Sequence, residues 1–109
     1  MRPDKVLQML GMAQRAGAVA SGGFMTETSV KSGKAFLVVV ASDASDNTQK
    51  DFKDMCDHYS VPIRFYSNRE DLGHCIGKEF RASLAVTNEG LANNILSLID
   101  SDTRKDEVL

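Results

Sequence analysis

Two acidic side chains could do chemistry directly after the most apolar segment of the chain. Asp43 and Asp46 follow the apolar run 36–41, and α/β proteins often bind ligands beyond the end of a buried strand. Paired carboxylates there could hold Mg²⁺ or act as a general acid and a general base. However, Asp46 and Asn47 come directly before a predicted helix, where capping of the helix N-terminus is the simpler interpretation. A hydrolase built on these carboxylates stays an alternative, whereas we expect that the chain is not an enzyme.

The two cysteines and the two histidines lack the spacing of a metal site or a nucleophilic site. Cys56 lies two residues before His58, and His74 is adjacent to Cys75. Neither spacing matches a familiar zinc pattern, and helical residues two apart do not face each other. We therefore interpret the cysteines as buried small hydrophobic residues and the histidines as surface residues. We predict no metal and no cofactor.

A pair of glycines stands between a predicted strand and a predicted helix. Gly22 and Gly23 could offer backbone N–H groups to a phosphate at the start of that helix. The chain contains neither the glycine motif of dinucleotide-binding folds nor that of P-loop proteins. Two glycines also fit a simple strand-to-helix turn, so the pair alone leaves both interpretations open.

The net charge of −2 at pH 7 argues superficially against a nucleic acid partner, but the charges are unevenly distributed. Residues 2–34 contain five basic and two acidic side chains, whereas residues 43–57 contain five aspartates and two lysines. A local basic patch is sufficient to attract an anionic partner even on an acidic protein. A solvated surface of mixed charge explains the same counts, and the role of the acidic region 43–57 stays open.

The length and composition favour one globular domain. The chain has 109 residues, of which 42% are hydrophobic, enough for a single core. No apolar run approaches the roughly 20 residues that cross a bilayer. The N-terminal residues Met1–Asp4 lack the apolar core of a signal peptide. We therefore predict a cytoplasmic protein.

The periodicity of apolar residues predicts nine alternating elements. Helices are predicted at about 4–16, 24–32, 48–59, 68–76 and 88–99, and strands at 18–21, 36–41, 63–66 and 84–86. The continuous apolar run of the second strand indicates burial on both faces. The pattern predicts a three-layer α/β/α sandwich formed by residues 1–99, and the charged tail 100–109 is expected to be disordered.

Several segments together resemble the L7Ae and L30e ribosomal proteins, and in particular the bacterial YlxQ branch of that superfamily. The segments are LGMAQRAG at 10–17, SG at 21–22, SGKA at 32–35, DASDNTQK at 43–50, DLGHCIGK at 71–78 with FR at 80–81, and NEG at 88–90. The resemblance covers about residues 4–99. It implies an α/β/α sandwich with a mixed four-stranded sheet.

The resemblance also implies a binding surface for structured RNA of the kink-turn type. It would be built from the first strand-to-helix turn, the helix that follows, and the loop before the last strand. The residues expected there are Gly22, Gly23, Phe24, Met25, Thr28, Lys31, Lys34, Lys78, Phe80 and Arg81. The cations would neutralise phosphates, and the apolar side chains would contact splayed bases.

One position of the resemblance differs from the family pattern. Kink-turn binders usually have a G-x-N-E-x-x-K motif at the turn, whereas this chain has Gly22 followed by Phe24, Met25 and Thr28 at the three polar positions. We predict binding of structured RNA, such as ribosomal RNA or another kink-turn-like RNA, in association with ribosomes or translation. The alternative is a protein-interaction adaptor on the same fold, with a ribosomal or other protein partner, for which Phe24 and Met25 would be anchors.

Overall fold

Five helices alternate with four strands along the chain. The computed structural model describes the backbone of residues 4–108 and the side chains of residues 4–101. The elements are α1 (Lys5–Arg15), β1 (Val19–Ser21), α2 (Gly23–Lys31), β2 (Leu37–Val40), α3 (Asp46–Tyr59), β3 (Ile63–Phe65), α4 (Arg69–Cys75), β4 (Ser83–Val86) and α5 (Glu89–Val108). All nine predicted elements are present. Arg2 and residues 102–109, whose charges were counted in the sequence, lie outside the residues whose side chains are described.

The four strands form one mixed sheet in the order β1-β4-β2-β3. β4 is antiparallel to both β1 and β2, while β2 and β3 are parallel. Helices α2 and α3 pack together over one face, and α1, α4 and α5 pack together over the other. This arrangement confirms the predicted three-layer α/β/α sandwich with a mixed four-stranded sheet.

The two central strands form the middle of the hydrophobic core. Every residue of β2 and β4 is buried, as the continuous apolar run of β2 predicts for a strand covered on both faces. Helix α1 contributes Val6, Leu10 and Ala13, whose three- and four-residue spacing places them on one side of the helix. Burial of these apolar surfaces is the main favourable contribution to folding.

Four of the five helices begin with a side chain that accepts a backbone hydrogen bond. Asp4 caps α1, Ser45 caps α3 and Asn68 caps α4, and the Asn88 side chain accepts from the Leu91 N–H at the start of α5. The prediction that Asp46 or Asn47 caps α3 is wrong, because the helix begins earlier and both residues lie inside it. Serine is about as favourable at the N-cap position as Asp or Asn.

The last helix is longer than the sequence pattern predicts. We expected it to end near Ile99, but α5 continues to Val108; the disorder expected of residues 100–109 stays a prediction. Residues 100–108 contain no glycine or proline to end a helix. The bounds of the domain stay a prediction. Among residues 4–108, no helix combines the length and apolar character needed to cross a lipid bilayer.

Candidate RNA interface

The sheet topology brings the glycine turn and the loop before the last strand together. β1 and β4 are antiparallel neighbours, so the end of β1 lies beside the start of β4. The Gly22 N–H donates to the Ser83 carbonyl oxygen at 2.9 Å and extends the ladder by one bond. Residues 22–25 and 78–81 are therefore on the same end of the sheet, although more than fifty residues separate them in the chain.

Arg81 joins the two segments. Its Nε donates to the Ser21 hydroxyl at 3.2 Å, and its Nη1 donates to the carbonyl of Phe80 at 2.7 Å. Its backbone N–H donates to the carbonyl of Arg69 at 3.0 Å. A guanidinium has five N–H donors, so these two side-chain bonds hold the group in place and leave further donors for an anion.

A glycine in α4 supports the loop that bears Phe80 and Arg81. A Cβ atom built on Gly73 would lie 2.7 Å from the carbonyl carbon of Glu79 and 2.9 Å from the backbone nitrogen of Phe80. The carbonyl of Gly73 also accepts from the Lys78 N–H at 2.8 Å. The loop backbone thus lies directly on α4, which only a residue without a side chain permits.

A buried pair of hydroxyls fixes α2 to the sheet beside the glycine turn. Ser83 Oγ donates to Thr26 Oγ1 at 3.2 Å, and both residues are almost completely buried. This bond joins the first turn of α2 to the start of β4. The position of Phe24 and Met25 is therefore set by a rigid scaffold rather than by a free loop.

The start of α2 is the one helix start among the described residues without a side-chain cap. Gly22, with φ 91° and ψ 160°, occupies the cap position. The Thr26 N–H makes the first backbone bond of the helix, to the Gly22 carbonyl at 2.9 Å. The N–H groups of Gly23, Phe24 and Met25 precede that bond and have no helical acceptor. The helix dipole makes such an end attractive to anions.

Three large apolar side chains are exposed around this turn. The exposed fraction is 79% for Phe24, 48% for Met25 and 62% for Phe80. Lys78 is also exposed in the same loop. The surface that we call the turn surface, formed by Gly22–Met25 and Lys78–Arg81, thus combines apolar faces and free backbone donors with two cations and one exposed carboxylate, that of Glu79.

Three other residues predicted for the RNA surface lie farther away or have partners. The Thr28 hydroxyl donates to the Phe24 carbonyl at 2.9 Å. Lys31 is eight residues beyond Gly23, about 12 Å along the helix, and forms an ion pair with Glu27 at 3.1 Å. Lys34 lies just before β2, at the opposite end of the sheet from Ser83. The assignment of the RNA-binding residues stays a prediction.

The carboxylates singled out as a candidate hydrolase site have structural contacts. The Asp43 side chain accepts from the Arg69 N–H at 2.9 Å and lies 3.6 Å from the Arg69 guanidinium. It therefore joins the β2–α3 loop to the start of α4. Asp46 is the first residue of α3, where its charge is favourable to the helix dipole. No group of three or more potential metal ligands occurs among the described residues.

The cysteines and histidines are mostly where the sequence predicts them. Cys56 is buried and Cys75 is half-buried, with its Sγ donating to the Leu72 carbonyl at 3.1 Å. Burial raises the pKa of the Cys56 thiol to about 11. Burial, and to a smaller extent nearby carboxylates, raises the pKa of Cys75 to about 11. Both thiols are therefore protonated at neutral pH. His58 and His74 are exposed.

Sequence reasoning missed the residues that hold the turn surface together. Ser21, Thr26, Gly73 and Ser83 act through contacts with residues that are distant in the chain. No local spacing indicates such contacts. The one available signal was Gly73 itself, since a glycine in the interior of a predicted helix suggests a close packing contact.

The alternating helices and strands, the mixed sheet and the turn surface define a small α/β/α binding domain. The family model described as "Ribosomal protein L7Ae/L30e/S12e/Gadd45 family" matches residues 4–96. The chain belongs to this family, which confirms the resemblance seen in the sequence.

Two relatives of the chain have the same name as each other. The chain is 42% identical over 92 residues to "RNA-binding protein YlxQ" of Bacillus subtilis (strain 168), covering 84% of this chain and 92% of that protein. It is 33% identical over 97 residues to "RNA-binding protein YlxQ" of Enterococcus faecium, covering 89% and 93% respectively. These matches support the assignment of the chain to the YlxQ branch of the family.

Two solved structures have the same fold. A Bacillus halodurans protein, described as of unknown function, superposes with a TM-score of 0.87 at 35% identity, covering 90% of this chain and 99% of that one. The "Giardia lamblia 15.5kD RNA binding protein" superposes with a TM-score of 0.74 at 19% identity, covering 93% and 90%. The second match is evidence for the fold alone.

Proposed function

We propose that this protein binds structured RNA through the turn surface and does so without catalysis. The observation that carries the proposal is the juxtaposition of an uncapped helix start, Lys78 and Arg81 on one end of the sheet. Membership of a family that contains proteins named for RNA binding supports it. Backbone donors and cations are the groups that contact nucleic acid phosphates.

The rigidity of the surface also supports the proposal. Arg81 is held by Ser21 and Phe80, and the start of α2 is held by the Thr26–Ser83 bond. A binding group that is already ordered loses less conformational entropy when its partner arrives. Non-specific attraction of a net-acidic protein to RNA is weak, so a preorganised local patch is the main source of affinity.

The finer assignment is a cytoplasmic role on ribosomal RNA or another kink-turn-like RNA, in association with ribosomes or translation. Gly22 retains the one family position that lets the backbone turn toward the RNA, whereas Phe24, Met25 and Thr28 replace the usual polar positions. Crosslinking in cells, followed by sequencing of the recovered RNA, tests this assignment. Recovery of ribosomal RNA would support it, and recovery of no RNA above background would contradict it.

A paired charge removal tests the RNA surface directly. The variant Lys78→Ala with Arg81→Ala should weaken binding of a labelled kink-turn hairpin by about tenfold or more at low salt, and reduce the slope of log affinity against log salt by about two. Fluorescence anisotropy over a salt series measures both quantities. Lys31→Ala with Arg81→Ala should have a smaller effect than this pair, because Lys31 lies far along α2 and is paired with Glu27.

The matched control removes the same charge from the neighbouring helix α3, on its side toward β3 and away from β1. Lys50 and Lys53 are exposed on α3, so Lys50→Ala with Lys53→Ala changes the net charge equally. We expect this control to change RNA affinity less than threefold, as distant surface charges are screened at about 10 Å in 0.1 M salt. Equal losses for both double variants would refute the turn surface as the RNA site.

A second candidate function is a protein-interaction adaptor. The exposed apolar side chains of Phe24, Met25 and Phe80 favour it, because aromatic residues and methionine are enriched at the centres of protein interfaces. A pull-down from a cell lysate distinguishes the two functions. A protein partner that stays bound after nuclease treatment, and is lost in Phe24→Ala, would favour the adaptor.

A further inference from the structure

The sheet has an open edge at β3, on the side of the molecule away from β1. β3 is the last strand in the order β1-β4-β2-β3, and within the described part of the chain it pairs with β2 alone. The Tyr66 N–H donates to the Val40 carbonyl at 2.9 Å, so the backbone of Tyr66 faces β2. Because the backbone groups of successive residues alternate in direction along a strand, those of Ile63 and Phe65 face away from β2.

Three of these four outward backbone groups form no hydrogen bond within residues 4–101. The Ile63 carbonyl accepts from Arg64 Nη1 at 2.8 Å, whereas the Ile63 N–H and both the N–H and the carbonyl of Phe65 are available to an added strand. In an antiparallel ladder a residue exchanges both bonds with the residue opposite it, so Phe65 matches an antiparallel partner. Extended segments of other chains add to open strand edges of this kind.

Two cavities lie along this edge on the side of α3. The first, of about 510 Å³, has Asp54, Asp57 and Ile63 in its wall. The second, of about 340 Å³, has Lys50 and Phe65 in its wall, and Phe65 is 40% exposed. Ile63 and Phe65 are two residues apart, which is the period of a strand. An added strand would therefore direct two side chains, also two residues apart, toward the two cavities.

The two cavities differ in charge. The wall of the first contains two aspartates and one lysine, whereas the wall of the second contains two lysines and one aspartate. Asp54 and Asp57 are exposed near the C-terminal end of α3, where the helix dipole is also negative. Neither carboxylate forms an ion pair with a described side chain. A cation is therefore attracted to the first cavity and not to the second.

We propose that the β3 edge binds an extended segment of a partner protein as an added antiparallel strand, with a basic side chain opposite Ile63 and an apolar side chain opposite Phe65. Since the strands run in opposite directions, the apolar residue comes first, and the segment has the pattern apolar-x-Lys or apolar-x-Arg. Main-chain hydrogen bonds supply affinity and the two cavities supply specificity. The site is at the opposite edge of the sheet from β1 and is therefore separate from the turn surface.

Charge and strand length argue against other occupants. A second copy of the chain would bring its own Asp54 and Asp57 to the edge, where like charges repel, and RNA phosphates would be repelled in the same way. β3 has three residues and follows Pro62, and short edge strands beside a proline resist non-specific pairing. A stable occupant must therefore use the cavities as well as the backbone.

Two labelled peptides of identical composition test the order of the pattern. The peptide STVTKTS has valine before lysine, and STKTVTS has the two exchanged. Fluorescence anisotropy with the full chain should show that the first peptide binds about fivefold more tightly than the second. The physical reason is that the exchange moves the lysine from the acidic wall to the wall that contains Lys50.

N-methylation tests the backbone pairing without changing the protein. The peptide STVTKTS methylated on the valine nitrogen cannot donate to the Phe65 carbonyl. Its binding should be weaker by about tenfold or more, because the methyl group also holds the strands apart. Amide hydrogen exchange locates the strand: the unmethylated peptide should slow exchange at Ile63 and Phe65. The Val19 N–H, which faces outward at the other edge of the sheet, should not respond.

Charge removal from α3 tests the acidic wall. Asp54→Asn with Asp57→Asn should weaken binding of STVTKTS by about three- to tenfold and remove the preference between the two peptides. The matched control is Asp51→Asn with Glu70→Gln, which removes the same charge from exposed positions outside both cavity walls. This control should change the affinity less than about twofold.

The opposite results would overturn the inference. These are equal binding of the two peptides, unchanged affinity on N-methylation, or no binding at about 1 mM peptide. A dimer in light scattering that slows exchange at Phe65 without any peptide would assign the edge to a second copy. RNA affinity should be the same with and without STVTKTS, and its loss on addition of the peptide would place the peptide on the turn surface instead.

Discussion

The turn between β1 and α2 and the turn between β2 and α3 start helices at the same end of the sheet, but with opposite chemistry. In the second turn, the Ser45 hydroxyl accepts the Thr48 N–H at 3.1 Å, and Asp46 places a negative charge in the first helical turn. In the first turn, Gly22 offers no side chain and Gly23 no charge. The first turn of α3 is capped by a side chain of its own residues, while the first N–H groups of α2 have no side-chain cap.

The difference shows how the fold can tolerate a helix start that has no side-chain cap. A helix start with glycine at the cap position is less stable, by about a few tenths of a kcal/mol, than one with a capping side chain. In α2 this cost is offset by tertiary contacts, since the Gly22 N–H and the Ser83 hydroxyl both bind across to the neighbouring segment. The uncapped start can therefore persist at the turn surface while the capped starts stabilise the rest of the molecule.

The largest effect is expected from a substitution that strains the backbone of the turn between β1 and α2. Gly22 has φ 91° and ψ 160°, a conformation that side-chain-bearing residues rarely adopt. No atom lies within 4 Å of a Cβ built there, so Gly22→Ala is strained by its backbone and not by a clash. We expect a loss of about 1–3 kcal/mol in the free energy of unfolding, measured by urea denaturation, together with weaker RNA binding.

The neighbouring glycine is the matched control for this prediction. A Cβ on Gly23 also meets nothing within 4 Å, and its φ is not positive. Gly23→Ala should therefore leave the free energy of unfolding unchanged or raise it, because alanine favours a helix over glycine. Equal destabilisation by both substitutions would show that crowding at the turn, rather than the conformation of Gly22, determines the effect.

The next largest effect is expected when the acidic residue at the start of α3 is reproduced at the start of α2. This substitution should raise the stability of the fold and lower the affinity for RNA. Gly23 and Asp46 are both the first residues of their helices. Gly23→Asp should stabilise the fold by about 0.3–1 kcal/mol through the helix dipole. It should also weaken RNA binding by about tenfold, because the carboxylate occupies the free donors and repels phosphate.

A neutral variant separates charge from size in this experiment. The Asn side chain of Gly23→Asn has nearly the same shape as the Asp side chain of Gly23→Asp but no charge to repel phosphate, so it should lose much less RNA affinity than Gly23→Asp. The measurements are anisotropy for binding and urea denaturation for stability. If Gly23→Asp left RNA affinity unchanged, the start of α2 would not lie near a phosphate in the complex.

The same two turns show how far the sequence could predict the structure. The buried strand β2 and the cap at Asn68 were correct because each depends on its own residues: a continuous apolar run, and a cap-forming side chain at the predicted helix boundary. The start of α3 was wrong by two residues, since Ser45, Asp46 and Asn47 are all good caps and local sequence does not choose among them. The end of α5 could not be predicted, because residues 100–108 contain no glycine or proline to end a helix.

The candidate site was less predictable than the fold. The grouping of the glycine turn with Phe80 and Arg81 came from resemblance, because sixty positions separate Arg81 from its partner Ser21. The resemblance also placed Lys31 and Lys34 on the surface with Gly22, whereas the helix carries them toward the other end of the sheet. Sequence distance is a poor measure here because one short helix spans most of the depth of the sheet.

The smallest effect is expected from removing the side-chain cap at the start of α3. Ser45→Ala removes the hydroxyl that accepts from Thr48 and should lower the free energy of unfolding by about 1 kcal/mol. RNA affinity should not change, because the donors exposed by the substitution lie beside Asp46, whose charge repels phosphate. If instead Ser45→Ala strengthened RNA binding, an uncapped helix start alone would be sufficient to attract RNA. The cations and aromatic faces of the turn surface would then not be needed to explain the proposed binding at α2.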